Sequence, residues 1–255
     1  MQPSKERYQM VVLVLNIALL SASAPAAAGP SQSDLKALLI QVDESNRGQS
    51  SRMVMRMHVK TKRFERSMKM EGWSKGSDYS LTRFLEPAKD RGMATLKVKD
   101  KLWNYLPNTD RTMRVPSAMM SGAYMGSHIT NDDLVQGTRL SEDYTHALAP
   151  GGGVAGQKTI RCTPKPKTPV VWGYVDVVVT DDGVPIEQVF YSEKKVKVRT
   201  MTYTDVKVVG GKKVPHRMRF EPHDKPGEFT EIIIEKLELG VALEAGVFSL
   251  QALRD

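Results

Sequence analysis

The sequence predicts a mainly β protein built on one large antiparallel sheet. Three observations predict it: apolar residues alternate with polar ones over long runs, tight-turn signals separate those runs, and no helix-length pattern lies between them. Missing helical crossovers argue against a parallel α/β fold. The runs sum to about 10–11 strands, with a helix at each end and a broken helical connector in the middle. A sheet that large curls, and its concave face is there for the helices to cover.

The first 28 residues read as an export signal. Lys5 and Arg7 form a basic start, Met10 to Leu20 is an apolar run, and Ser21 to Ala28 is rich in small residues. Eleven apolar residues are too few to span a bilayer, which needs about 20. The expected product is a periplasmic protein, residues 29–255, forming a single domain. A hydrophobic content of 40% supports a packed core. Cys162 is the only cysteine, so packing rather than disulfides must hold the exported chain together.

The first mature helix is expected over Ser33–Val42, capped by Ser33 or Asp34, with Leu35, Leu38, Leu39 and Val42 on one stripe. Period-two alternation then begins. From Arg52 to Lys60, Met53, Met55, Met57 and Val59 alternate with charged residues. Further strands are expected over Arg63–Trp73, Asp78–Leu85, Gly92–Val98, Lys101–Leu106 and Arg111–Val115. Pro107 to Asp110 turns the chain between the last two. An apolar connector with many methionines, Ser117–Met125, ends at Thr130, which reads as the N-cap of a helix with Asp133 facing its N-terminus. Gly137 to Ala149 reads as a polar connection. Val170–Thr180, Val184–Tyr191, Lys195–Val209, Lys212–Phe220 and Phe229–Leu239 form a second meander, with Asp181-Asp182-Gly183 and Gly210-Gly211 as turns. Val247–Leu253 reads as a short closing helix.

Chemistry-bearing motifs are absent. Gly151 to Thr159 fails the phosphate-loop spacing, because Gln157 separates Gly156 from Lys158 and no helix follows. It reads as a hairpin loop. The five histidines are scattered without metal-ligand spacing, and Cys162 has no partner signature for a nucleophile. No enzyme, metal or cofactor is therefore expected. A net charge of +8 suits anionic lipid head groups or acidic proteins. Nucleic acid is excluded as a partner for an exported chain.

Methionine is the unusual residue. Of 14 in the chain, most precede residue 130. Its flexible, polarisable side chain suits surfaces that accept varied apolar partners. Three readings stay open: an ordinary Met-rich core, a cavity for acyl chains, and a soft-metal cluster of Met119, Met120, Met125 and His128.

The segments Leu102–Val115 (LWNYLPNTDRTMRV), Met125–Leu134 (MGSHITNDDL) and Val247–Leu253 (VFSLQAL), on a helix-then-meander pattern, resemble the periplasmic outer-membrane lipoprotein-sorting family with its LolA-like fold. The resemblance runs from Asp34 to Arg254. It implies an incomplete, half β-barrel closed on one side by helices, and carriage of lipid or lipoprotein acyl chains between membranes without catalysis. An inner-membrane transporter of the resistance-nodulation-division type and peripheral membrane contact are the partners it implies. No motif selects a functional arginine, and His128 stands where the resemblance leads one to expect an acid. On this reading, Met53, Met55, Met57, Met68, Met70, Trp103, Tyr105 and Met113 line the cavity. Met119, Met120, Gly122, Met125 and Gly126 form a lid hinged at its glycines. The alternative is a non-catalytic interaction module of an envelope or transporter complex.

Overall fold

A computed structural model describes residues 30–136, 139–166, 168 and 170–254. The expected signal peptide lies outside the described residues. From Ser31 onward the chain forms one compact unit.

Helix α1 spans Gln32–Glu44. Its N-cap is Ser31, not Ser33 or Asp34. Asp34 occupies the third helical position, where its carboxylate accepts from the Ser31 amide while the Ser31 hydroxyl accepts from the Asp34 amide. This reciprocal capping box satisfies two amides that would otherwise lack partners. Leu35, Leu38, Leu39 and Val42 are buried on one stripe, as their spacing predicts.

Six strands follow: β1 (Ser50–Lys60), β2 (Glu65–Lys75), β3 (Tyr79–Glu86), β4 (Ala94–Val98), β5 (Lys101–Leu106) and β6 (Arg111–Arg114). After the connector, with helices α2 (Asn131–Gln136) and α3 (Leu140–Asp143), come β7 (Tyr144–Val154), β8 (Gln157–Pro164), β9 (Tyr174–Thr180), β10 (Pro185–Tyr191), β11 (Lys197–Val209), β12 (Lys212–Pro222) and β13 (Phe229–Leu239). All join one antiparallel sheet in the order β6-β5-β4-β3-β2-β1-β13-β12-β11-β10-β9-β8-β7. The two meanders meet where β1 pairs with β13. The sheet is not closed: β6 and β7 are its edges, which makes it an open, curved half-barrel.

Thirteen strands replace the expected 10–11. The two missed are β7 and β8, in the stretch read as a polar connection and a hairpin loop. Pro150 and three consecutive glycines hide β7. A proline is tolerated there because β7 is an edge strand. The ladder breaks between Leu148 and Gly153. At Gly152 a Cβ would lie 2.8 Å from both the Ala149 and Thr159 carbonyl oxygens, so only glycine fits. The second correction concerns Val247–Leu253, which forms turns rather than a helix. Seven residues gain little from helix cooperativity, and packing against the sheet decides their shape.

Strand alternation sorts the sheet into two faces. The inner face carries the main core: Met57, Val59, Met68, Met70, Phe84, Ile160, Val175, Val177, Val179, Met218, Phe220 and Ile234, covered by α1 and the connector. The reverse face carries a smaller cluster, Leu81, Ala94 and Leu96 with Trp73, Trp103 and Tyr105, covered by Val247, Phe248, Ala252 and Leu253. Leu39 is fully buried while its neighbour Ile40 is 40% exposed. Leu39→Ala is expected to cost about 2–5 kcal/mol and Ile40→Ala under about 0.5 kcal/mol, measured by urea denaturation; equal losses would contradict the assignment of the α1 stripe.

Candidate functional site

The inner face beneath the connector is where the topology concentrates apolar side chains. The pairing of β1 with β2 sets Met57 opposite Met68 and Met55 opposite Met70. The pairing of β1 with β13 sets Met57 opposite Ile232 and Met55 opposite Ile234. Met57, Met68 and Met70 are buried there, and Met53 and Met55 are half-buried against the same cluster. Trp103 and Tyr105 are not with them: their alternation places both on the reverse face. Met113, on edge strand β6, is 46% exposed.

The connector must run from edge strand β6 to edge strand β7, so it crosses the inner face. Two 3-10 turns, Ser117–Met119 and Tyr124–Gly126, begin the crossing. Met119 is 61% exposed, Met120 half-buried, and Met125 half-buried against the main core. Gly122 accepts the Asn131 amide, which folds the segment back on itself. Gly126 adopts φ +71° and passes close over the Phe64 ring, so a side chain there would be strained. Tyr124, Ile129, Val135 and Leu140 are the buried apolar residues of the crossing. The Tyr124 ring lies 6.4 Å from Phe84, and its hydroxyl is 3.1 Å from Thr95 Oγ1.

Individual polar side chains fasten this segment at several further places. Arg66 of β2 donates to the Met125 carbonyl at 2.7 Å. Lys97 of β4 donates to the Val135 carbonyl at 2.8 Å. The His128 ring sits between the Thr230 hydroxyl at 2.9 Å and the Glu228 carboxylate at 3.1 Å. Asp43 of α1 accepts the Leu140 and Ser141 amides and the Ser141 hydroxyl. Arg199 of β11 binds Asp133 through two bonds of 2.7 and 2.9 Å and also donates to the His128 carbonyl. Only 4% exposed, Arg199 lies among Phe190, Trp172 and Phe220, with ring centroids 4.3, 4.9 and 5.5 Å away. Aromatic faces and one carboxylate thus replace water around the guanidinium.

Asp133 also caps α2, as its spacing predicts: it accepts from the Thr130 amide and hydroxyl, and Thr130 Oγ1 accepts the Asp133 amide. Its second role, as the partner of Arg199 in the other meander, has no local signal in the chain. Burial pushes the Asp133 carboxyl up, but Arg199 and the Thr130 bonds outweigh it and leave it below the ordinary carboxylate value. Adjacent Asp132 is pushed up to about 6 by burial and by the Asp133 charge. The His128 ring and the Lys62 amide hold Glu228 low. Lys97 is pushed down to about 7, first by burial and then by the nearby Arg47 charge.

Among the described residues, no group of three His, Cys, Asp or Glu side chains is placed to hold a metal ion. Cys162 is buried, and burial pushes its thiol far up. A thiol so placed is a packing residue rather than a nucleophile.

Two expectations follow from the fastenings. Asp133→Asn leaves Arg199 buried without a counter-charge, at a cost of about 3 kcal/mol. Hydrogen exchange across 120–136 is expected to accelerate more than in β9–β13, and Arg199→Met in the Asp133→Asn background to recover part of the loss. An unchanged exchange pattern would show that the pair does not hold the segment. For Lys97 the folded pKa lies below the unfolded one, so between about pH 7 and 10 the unfolded chain binds more protons and the wild type gains stability as pH rises. Lys97→Met is expected to be the more stable protein at pH 6, with its advantage shrinking towards pH 10 in parallel urea titrations. A pH-independent difference would contradict the assignment.

Comparison with solved structures matches this architecture. A DUF1329 family protein from Desulfovibrio piger superposes with a TM-score of 0.78 at 22% identity, covering 87% of this chain and 98% of its own. A putative outer membrane lipoprotein-sorting protein domain from Vibrio parahaemolyticus gives 0.75 at 22% identity, covering 88% and 100%. A LolA superfamily protein from Nitrosomonas europaea gives 0.71 at 21% identity, covering 86% and 98%. No curated protein matches the sequence. A family model described as "Uncharacterized protein" matches residues 76–255; the chain belongs to that family, and its fold is the LolA-like fold of the outer-membrane lipoprotein-sorting proteins.

Proposed function

We propose that the protein is a periplasmic, non-catalytic carrier. It holds lipid or lipoprotein acyl chains against the inner sheet face, beneath the connector, for transfer between membranes. One observation carries this reading: beside α1, the apolar inner face is covered by an irregular crossing segment fastened by separate polar side chains. The likeness to a putative lipoprotein-sorting domain and a LolA superfamily protein supports it.

The physical logic is one of exchange. When the segment swings away, most of its hydrogen bonds are replaced by bonds to water, and a typical net loss is only about 1 kcal/mol each. The uncovered Met57, Met68, Met70 and Phe84 then need a new apolar cover. An acyl chain supplies it at about 0.8 kcal/mol per buried CH₂. Methionine side chains repack around chains of different shape, so no rigid cavity has to exist beforehand. In this reading Met53, Met55, Met57, Met68 and Met70 line the opened cavity, and Met119, Met120, Gly122, Met125 and Gly126 belong to the lid. Trp103 and Tyr105 are outside it.

The same reading places the protein at membrane surfaces. Exposed Met113 stands between Arg111 and Arg114 in β6, and exposed Met119 follows in the connector, a mixture that suits an anionic lipid interface. Receipt from, or delivery to, an inner-membrane transporter of the resistance-nodulation-division type fits such a carrier.

Native mass spectrometry of the protein purified from its own periplasm, followed by organic extraction, tests the proposal. A bound mass that extracts as lipid is expected, together with loss of fluorescent fatty-acid uptake in Met120→Glu at unchanged circular dichroism. A bare protein mass that also refuses the fatty-acid probe would overturn the carrier and favour an interaction module of an envelope complex.

A further inference from the structure

The reverse face of the sheet holds a cleft of about 700 Å³, on the opposite side from the methionine cluster. It lies under the segment that follows β13. That segment is tied down at both ends. At one end the Gly240 amide donates to the Ser50 carbonyl, and the Ser50 hydroxyl donates to the Val241 carbonyl, both at 2.8 Å. At the other, Phe248 packs on Tyr79 with ring centroids 5.6 Å apart, Leu253 is buried, and Arg83 donates to the Ala252 carbonyl. Between the anchors, residues 242–246 arch away from the sheet and turn back at Gly246, whose φ is +85°.

Trp73 and Leu81 form the floor, and the Arg52 and Arg83 guanidinium groups flank the indole at 5.9 and 5.6 Å from its centroid. The two arginines are not equivalent. Arg52 pairs with Glu71 at 2.6 Å. Glu238, the cross-strand neighbour of Arg52, pairs with Lys236 at 2.7 Å. Among the described residues Arg83 has no ion pair, and its bond to Ala252 uses one of five N–H donors. A half-buried cation with donors to spare thus faces a cleft walled by Leu243 and Val247.

We propose that this cleft is a second binding site, for a monocarboxylate carried on a flat apolar body such as an aromatic acid. The carboxylate takes the remaining Arg83 donors, since the planar guanidinium matches two carboxylate oxygens. The flat body lies along Trp73 and Leu81 beneath the arch. A single negative charge is selected because Glu238 and Glu244 also line the cleft and repel a dianion. The site is independent of the carrier reading, because it lies on the other face and uses none of the inner-face methionines.

Isothermal titration of the full chain with 2-naphthoate, beside neutral 2-naphthamide, tests this. Naphthoate is expected to bind one-to-one, with the amide at least tenfold weaker. Arg83→Gln should weaken naphthoate at least tenfold. Ala245→Trp, which fills the arch from an exposed position without touching Arg83, should block it at unchanged circular dichroism. Nuclear Overhauser contacts from the bound naphthyl ring are expected at the Trp73 indole. Absence of naphthoate binding, equal affinity for acid and amide, unaltered affinity in both variants, or contacts at Met57 and Met68 instead of Trp73 would each overturn the proposal.

Discussion

The pairing of β1 with β13 is the constraint on which the rest depends. It joins the first strand of the first meander to the last strand of the second, so the two chain segments farthest apart in sequence form the middle of the sheet. The edges are then β6 and β7, which are neighbours in sequence but lie at opposite ends of the sheet. A chain that leaves one edge and must enter at the other has to traverse a whole face. The connector is that traverse, and this is why an irregular segment lies over the largest apolar surface of the molecule.

An irregular segment over a core needs partners for its backbone, because buried carbonyls and amides left unpaired are costly. Regular helix would have satisfied them internally, but only α2 and α3 are helical here, and both are short. The sheet and α1 supply the partners instead. Arg66, Lys97 and Arg199 reach up to carbonyls of the segment, while Asp43 accepts its amides. Cover and fastening are therefore chemically separate: the cover is apolar, through Tyr124, Ile129 and Val135, and the fastening is polar. The cover shares none of the ladder bonds of the sheet beneath it.

The two faces of the sheet differ in the same physical terms. The inner face is Met-rich and broadly apolar, with its charges held in pairs or aimed at the connector. The reverse face near β1–β3 is aromatic and cationic, with Arg52 and Arg83 beside Trp73. One alternation of side chains along β2 generates both: Met68 and Met70 point inward, Trp73 outward. The misplacement of Trp103 and Tyr105 in the sequence reading has this origin. Composition shows that a strand carries apolar residues but not which face they share, unless a neighbour's register is known.

Much of the fold was legible in the chain itself, because its signals are local. Period-two alternation, β-branched runs and turn residues marked eleven of the strands, the Leu35–Val42 stripe marked α1, and the Thr130–Asp133 spacing marked the α2 cap. Where local signals mislead, the chain misled: Pro150 and Gly151–Gly153 hid β7, and Val247–Leu253 imitated a helix. The fastenings were not legible at all. Arg199 meets Asp133 across 66 positions, and His128 meets Glu228 across 100. Nothing in the neighbourhood of any of these residues distinguishes it from a solvated charge. Local backbone preference and the alternation of apolar residues determined the elements. The tertiary structure decided which side chains meet, because the contacts of the first meander and its connector with the second, such as Arg199 with Asp133, come together only in a sheet where β1 closes on β13.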